Sequence, residues 1–506
     1  MSTSFGLHAA LPLYLHASLS VQLVVIVALS TFLVTALHLS RPDGLHDAES
    51  QVASLPCLSV LALVPFFRRR FDFFNWAFAI TRQPMFRFKL LNNSVYIVSG
   101  EENRKAFFSH RSLDLTEGFA LLSGAIPMVP GITSALQAQR VALIHKRLAL
   151  VQRESYLKHL IPLLLVDIQQ FLVKRYSASG TADPFESIYE LVFQTTLRAL
   201  TCEEIADDEH TATRLRILYA KLDENTTPLT VVAPWIPSPS MIRKLLATRE
   251  IYWIIKRVIR SRREGGIAHH DTLQILLDHE DDDMLIVGFI MGLIVAGARA
   301  TGTAASWLHV YMGQDPIWQE KVKLEVDDLL QKYAFVDTKD GRHDISEQLS
   351  SVPLHAWEND MPVMDMLIRE TLRVAQPHTA MRKNTGGEFW LGDRKIPAGA
   401  YLMYPFSDVH LDPELYPDPW SFAPGRPQPE APMSYVAWGA GKTICQGQRL
   451  AKMELKLIIS MLVQTLRWRT TDASGNVLPE APRPDWNDTV SCRPPEKSVY
   501  TSYNRR

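Results

Sequence analysis

Trp438-Gly439-Ala440-Gly441-Lys442-Thr443-Ile444-Cys445-Gln446-Gly447 is the most informative stretch of this chain. Its glycines let the backbone turn tightly and pass close to a bulky group. It runs directly into a strong helical pattern over residues 448–466. A sulfur held just ahead of a helix N-terminus has its thiolate favoured by the helix dipole and by nearby N–H groups. A haem iron–thiolate site needs such an arrangement, because its ligand is an anion kept from water. A phosphate-binding loop is the competing reading, since Gly441-Lys442-Thr443 matches the end of that motif. Its first glycine should lie five residues before Gly441, where this chain has Val436.

The other cysteines, Cys57, Cys202 and Cys492, are scattered and form no Cys-x-x-Cys pair. That argues against a zinc ribbon or disulfide framework and fits a reducing compartment. A lone cysteine is ordinarily a small buried hydrophobe, so Cys445 is singled out by its loop alone. Of the 506 residues, 47% are hydrophobic and 21% charged, a globular balance. A net charge of −1 gives no reason to expect nucleic acid as a partner. With no Gly-Ser linker, charge block or repeat, the economical organisation is one large body with something extra in front.

That extra element is residues 19–39, LSVQLVVIVALSTFLVTALHL, about the 20 residues a helix needs to cross a bilayer. No Lys or Arg precedes the run and it is long for a signal peptide. Arg41 and then Arg68, Arg69 and Arg70 follow it, so the body is expected to stay cytosolic. Three sequons, at Asn92, Asn225 and Asn487, would then lie out of reach of lumenal glycosylation. The expected division is an anchor over 1–40, a proline-interrupted linker over 41–70 and a catalytic domain over 71–506. Residues 55–67, broken by Pro56 and Pro65, would lie on the membrane surface or pack on the body.

Within the body, residues 86–91 and 94–98 read as strands joined at Asn92-Asn93. Residues 135–201 carry a helical period. Asp281, Asp282 and Asp283 open a long buried helix through Met312, and Asp315-Pro316 caps the next. Beyond Pro377, Pro and Gly become dense and short strands take over. The predicted class is mainly α with a small β component.

The cysteine loop resembles that of the cytochrome P-450 superfamily, Phe-x-x-Gly-x-Arg-x-Cys-x-Gly. Gly441, Cys445 and Gly447 match, while Trp438 stands for the Phe and Thr443 for the Arg. Upstream, Glu370-Thr371-Leu372-Arg373 resembles the family's Glu-x-x-Arg helix, whose i and i+3 residues share a face. Pro419-Trp420-Ser421-Phe422-Ala423-Pro424-Gly425-Arg426 resembles its Pro-x-x-Phe-x-Pro-x-Arg element. Ile396-Pro397-Ala398-Gly399 and His410-x-Asp412-Pro413 fall between them in the family's order. The similarity runs from about Phe86 to the end, plus the anchor, and its general character is closest to fungal secondary-metabolite enzymes. It implies the P-450 fold, haem b with Cys445 as axial thiolate, and a structural trio of Glu370, Arg373 and Arg426. Lys146 and Arg147, in a segment resembling the propionate-contacting helix, and Arg382 are its candidate propionate ligands. The Trp usual in that helix is Ala142 here.

One departure bears on chemistry. The family's Ala/Gly-Gly-x-Asp/Glu-Thr-Thr pattern is held in register by Ala296-Gly297 and Ser306-Trp307. Its acid position is Arg299 and its first Thr is Ala300. The acid and hydroxyl ordinarily deliver protons for O–O cleavage. Arginine is effectively always charged and alanine has no proton to give. Thr301, about 100° further round the helix, could substitute only if the helix unwound near Gly297.

The resemblance therefore implies monooxygenation of a hydrophobic small molecule, using O2 and electrons from NADPH through NADPH–cytochrome P-450 reductase. The body would sit at the endoplasmic reticulum bilayer. A haem-thiolate isomerase, dehydratase or peroxide-using enzyme is the alternative, since none of these needs the missing pair. Arg299 either pairs with a carboxylate elsewhere or binds an anionic substrate group. The specificity loops correspond to residues 113–132 and 222–242, apolar and Pro/Gly-interrupted, and imply only a hydrophobic ligand.

Overall fold

The computed structural model describes residues 30, 52–55, 59–90, 93–122, 138–232, 236–266, 268–334, 344–495 and 498–506. The expected anchor, Ser30 excepted, lies outside the described residues, as do the Asn92 turn position and much of the first specificity loop.

The body is built on one helix, Asp283–Gln314. The Asp282 carboxylate caps it by accepting from the Leu285 N–H at 2.8 Å, and Asp283 sits in its first turn. Both complement the positive end of the helix. From Leu285 onward most side chains are buried, including Trp307, Leu308 and Met312. Each fully buried large apolar side chain contributes about 1.5–3 kcal/mol, which is why so apolar a helix lies inside the protein. This helix and Glu154–Arg175 are long and apolar enough to cross a membrane, yet both pack within the body.

The helical pattern over 135–201 resolves into Ala138–Val151, Glu154–Arg175 and Pro184–Leu200, with the strand Ser179–Ala182 between the last two. Pro184 forces the restart. Having no N–H, it suits the first turn, where Asp183 accepts from the Phe185 N–H at 3.0 Å. Pro184–Leu200 then packs along the central helix, and the Ser306 hydroxyl donates to the Pro184 carbonyl at 3.1 Å. At the far end of the central helix Asp315 accepts from the Ile317 N–H at 3.1 Å, so the next helix, Ile317–Tyr333, begins just beyond the Asp-Pro pair.

The strands form a six-stranded sheet in the order Ala53–Ser54, Met85–Leu90, Asn93–Val98, Tyr401–Pro405, Thr379–Asn384, Leu113–Asp114. Leu90 pairs with Asn93, so the predicted hairpin turns one residue earlier than its Asn-Asn pair suggested. A three-stranded sheet joins Leu466–Thr471, Tyr500–Arg505 and Ser179–Ala182, tying the chain's end to its middle.

Part of the predicted linker is body. Residues Ser59–Arg68 form a helix that keeps Pro65 inside it and buries Phe66 against Phe74 and Phe88. The three arginines read as topology signals divide: Arg69 pairs with Asp72, while Arg70 is buried.

Candidate active site

The cysteine loop is closed by its own backbone. The Cys445 N–H donates to the Trp438 carbonyl at 2.6 Å, and the Gly439 N–H to that of Val436 at 2.7 Å. Gly439 and Gly441 take φ of +77° and +57°, a region that L side chains rarely adopt. A Cβ on Gly441 would meet the Phe108 carbonyl oxygen at 2.4 Å, so this glycine is required by packing as well. Gly447 is the N-cap of the helix Gln448–Thr465. Trp438 packs on the main core, and the Gln376 amide holds the Ala437 carbonyl at 3.0 Å.

Cys445 keeps accessible surface. Burial pushes its thiol pKa up and the Gly447 N–H opposes this only in part. A metal ion at the sulfur favours the anion, since a coordinating thiol is deprotonated outright.

Behind the loop lies an ion network. Arg373 donates to both oxygens of Glu370, Nε at 2.9 Å and Nη2 at 2.7 Å. Its remaining donors reach the carbonyls of His410 and Pro419, each at 2.7 Å, and Ser421 at 3.1 Å. Arg426 Nε adds a bond to Glu370 at 2.8 Å. Glu370 and Arg373 are almost fully buried. Phe422, from the same segment as Arg426, stacks on Tyr311 of the central helix with centroids 4.1 Å apart.

The propionate candidates separate. Arg147 is held by Asp281 through two hydrogen bonds of 2.7 Å, both residues buried, so its charge is already matched within the protein. Asp281, read as one of three helix-start acids, is its partner. Lys146, one residue earlier on the same helix, is exposed. Arg382 is buried, and it donates to the Met381 carbonyl at 2.7 Å and to Thr443 Oγ1 at 2.6 Å. Thr443 occupies the loop position where the family pattern has Arg, so a guanidinium reaches that place from the neighbouring strand. No carboxylate pairs with Arg382 among the described residues. A buried cation fixed to the cysteine loop and lacking a counter-ion fits a haem propionate.

On the central helix, Ala296 and Ala300 keep exposed surface in a half-buried stretch between two buried ones, one turn apart on the same face. Arg299 forms an ion pair with Asp223, in the last turn of Glu209–Glu224. Of its two sequence readings the structure realises pairing with a carboxylate, and nothing in the sequence pointed to Asp223. Thr301 is buried, off the Ala296–Ala300 face. The helix is continuous past Gly297, without the unwinding that would bring Thr301 round to that face. Thr303, not singled out by sequence, hydrogen-bonds the carbonyls of Arg299 and Val490, each at 3.0 Å.

A thiol at the end of a glycine-shaped loop, a braced ion network behind it and a small-residue helix face together define a haem-thiolate site. The cytochrome P450 family model matches residues 54–484, and the chain belongs to that family. It is 29% identical to the cytochrome P450 monooxygenase nsrP of Aspergillus novofumigatus, over 80% of this chain and 81% of that one. It is 25% identical to monooxygenase AacuE of Aspergillus aculeatus, over 89% and 92%. The retinoic acid-bound cyanobacterial CYP120A1 superposes with a TM-score of 0.65 at 19% identity, covering 87% of this chain and 95% of that one. The chain is accordingly a P450 monooxygenase whose cofactor is haem with a cysteine thiolate ligand.

Proposed function

We propose that this P450 oxidises a hydrophobic small molecule, with O2 and with electrons passed from NADPH by a flavoprotein reductase. The observation that carries the reading is the Cys445 loop, folded by glycines that admit no side chain and opening directly into the Gln448–Thr465 helix. Bound haem would supply the redox chemistry, with Cys445 as its axial ligand. Trp438, Gly441 and Gly447 shape the loop around the sulfur. Arg382 would hold a carboxylate of the cofactor, with Lys146 at the protein surface adding at most a screened charge. Glu370, Arg373 and Arg426 keep the loop's backing rigid. Ala296 and Ala300 offer an apolar face that suits an apolar substrate and excludes water. A single span at residues 19–39 would hold the body at the cytosolic face of the endoplasmic reticulum, beside a membrane-bound reductase.

One observation favours a second reaction on this scaffold. Arg299 is tied to Asp223, Ala300 carries only a methyl, and Thr301 is buried. An isomerisation, a dehydration or a peroxide-driven oxidation needs no proton relay at that face. The test is to incubate haem-loaded full-length protein with candidate lipophiles, with and without reductase, NADPH and dioxygen. Product that requires all three supports the first reading; product without reductant or dioxygen overturns it.

A further inference from the structure

Two exposed histidines, His159 and His270, lie side by side on separate elements of the surface. His159 is in the second turn of the helix Glu154–Arg175, and His270 stands two residues ahead of the helix Thr272–Asp278. Their ring centroids are 5.7 Å apart and the planes are inclined at 60°, which is not a stacked pair. Neither ring takes part in a hydrogen bond or ion pair among the described residues. The backbone beneath both is fixed. Tyr156, one turn before His159, donates to the Ala199 carbonyl at 3.3 Å, and its hydroxyl lies 3.0 Å from Thr272 Oγ1. The Thr272 hydroxyl donates to the same carbonyl at 2.7 Å. Asp271, beside His270, accepts from Arg262 Nη1 at 2.7 Å and from the Gln274 N–H at 2.9 Å. Around this anchor Glu203, Glu204 and Asp271 gather against one cation, Arg262, which pairs with Glu204 and Asp271. Lys158, next to His159, is already paired with Glu154. The local field therefore favours a further positive charge.

We propose that His159 and His270 form a binding site for one divalent transition-metal ion of the zinc class. Such an ion holds each imidazole nitrogen at about 2.0–2.1 Å, which places the centroids of two rings sharing a tetrahedral ion roughly 5–6 Å apart. The observed pair already has that spacing. Imidazole suits zinc, copper and nickel, whereas calcium and magnesium take oxygen. Water completes the coordination on the open side. The ion ties the helix Glu154–Arg175 to the turn before Thr272–Asp278. A neighbouring group is the rival seat: Glu203, His269 and Asp271 each bring a ligand atom within 4.8 Å of the others. Asp271, however, spends both oxygens on Arg262 and on the N–H groups of Gln274 and Glu203. The site uses no residue of the cysteine loop or central helix and stands independently of the haem-thiolate reading.

The experiment titrates Zn2+ into untagged, haem-loaded full-length protein by calorimetry, comparing wild type with His159→Gln, His270→Gln and His269→Gln. Wild type should bind a Zn2+ ion that His159→Gln and His270→Gln each weaken by at least about tenfold, the lower end of what losing a group that supports a metal ligand costs. His269→Gln should bind as wild type does. Saturating Zn2+ should raise the melting temperature of wild type more than that of His159→Gln or His270→Gln, and Mg2+ should raise none of them. Equal Zn2+ affinity in wild type and those two variants overturns the proposal. So does a loss in His269→Gln as large as theirs or larger, which would seat the ion at Glu203. Should either variant fail to fold, Cu2+ on the wild type decides. Its electron paramagnetic resonance spectrum should show ligation by two imidazole nitrogens, and fewer than two overturns the site.

Discussion

The two sides of the site are built on different principles. Behind Cys445, every named charge is matched: Glu370 accepts from Arg373 and Arg426, and the leftover donors of Arg373 close on three carbonyls. On the central helix the face at Ala296 and Ala300 carries no charge, and the one charge nearby, Arg299, is drawn to Asp223 on another helix. The ligand side is held in one arrangement by hydrogen bonds that tolerate no loss. The opposite side is defined by size and apolarity, which leaves its chemistry to whatever binds there.

Substitutions should respect that contrast. The largest effect belongs to the ligand side. Glu370→Gln leaves Arg373 buried beside a neutral amide and should cost about 3–5 kcal/mol of stability, read as a lowered urea midpoint. A change below 1 kcal/mol, about the value of a surface pair, would contradict the account of the network.

Next is Glu454, on the helix that Gly447 caps. It is buried, takes hydrogen bonds from the Thr195 and Thr196 hydroxyls, and its carboxyl is pushed up to about 7 by burial. Its folded pKa lies above the ordinary value. The stability tied to its proton is therefore fully present below about pH 4.5 and is lost as pH rises through about 7. Glu454→Gln should flatten the fall of melting temperature between pH 5 and 8 by the equivalent of about 3 kcal/mol. Parallel pH profiles for variant and wild type would count against a neutral Glu454.

Smaller effects are expected across the central helix. Ala300→Thr restores a hydroxyl to the accessible face and should raise product formed per NADPH consumed by about tenfold, less than the roughly hundredfold at the low end of what a positioned proton donor contributes. No change would point to a reaction that needs no relay there. Smallest is the half-buried Arg299–Asp223 pair: Arg299→Gln and Asp223→Asn should each cost about 1 kcal/mol, and the double variant little more than either. Additive losses would show that the two side chains act independently.

The same contrast governs what could be read in advance. The cysteine loop, the Glu-x-x-Arg helix and the Pro-x-x-Phe-x-Pro-x-Arg element are short-range patterns whose members sit within a turn or a loop of each other. Spacing alone brings Glu370 to Arg373, and glycine marks the turns around Cys445. The central helix was legible because fifteen apolar residues behind three acids have few other uses. What sequence missed is long-range pairing. Nothing local says that Arg147 will be consumed by Asp281 or Arg299 by Asp223, because each pair is closed by the packing of separate helices. The expectation for Thr301 depended on a helix irregularity, and the packed helix stays regular. Arg70 looked like a topology signal and proved to be a buried cation.

The most direct test is the carbon monoxide difference spectrum of the reduced, haem-loaded protein, taken beside Cys445→Ala. The wild type should give the red-shifted band of a thiolate-ligated haem, and the variant should lose it. A wild type without that band, or a variant that keeps it, would show that Cys445 is not the iron's ligand.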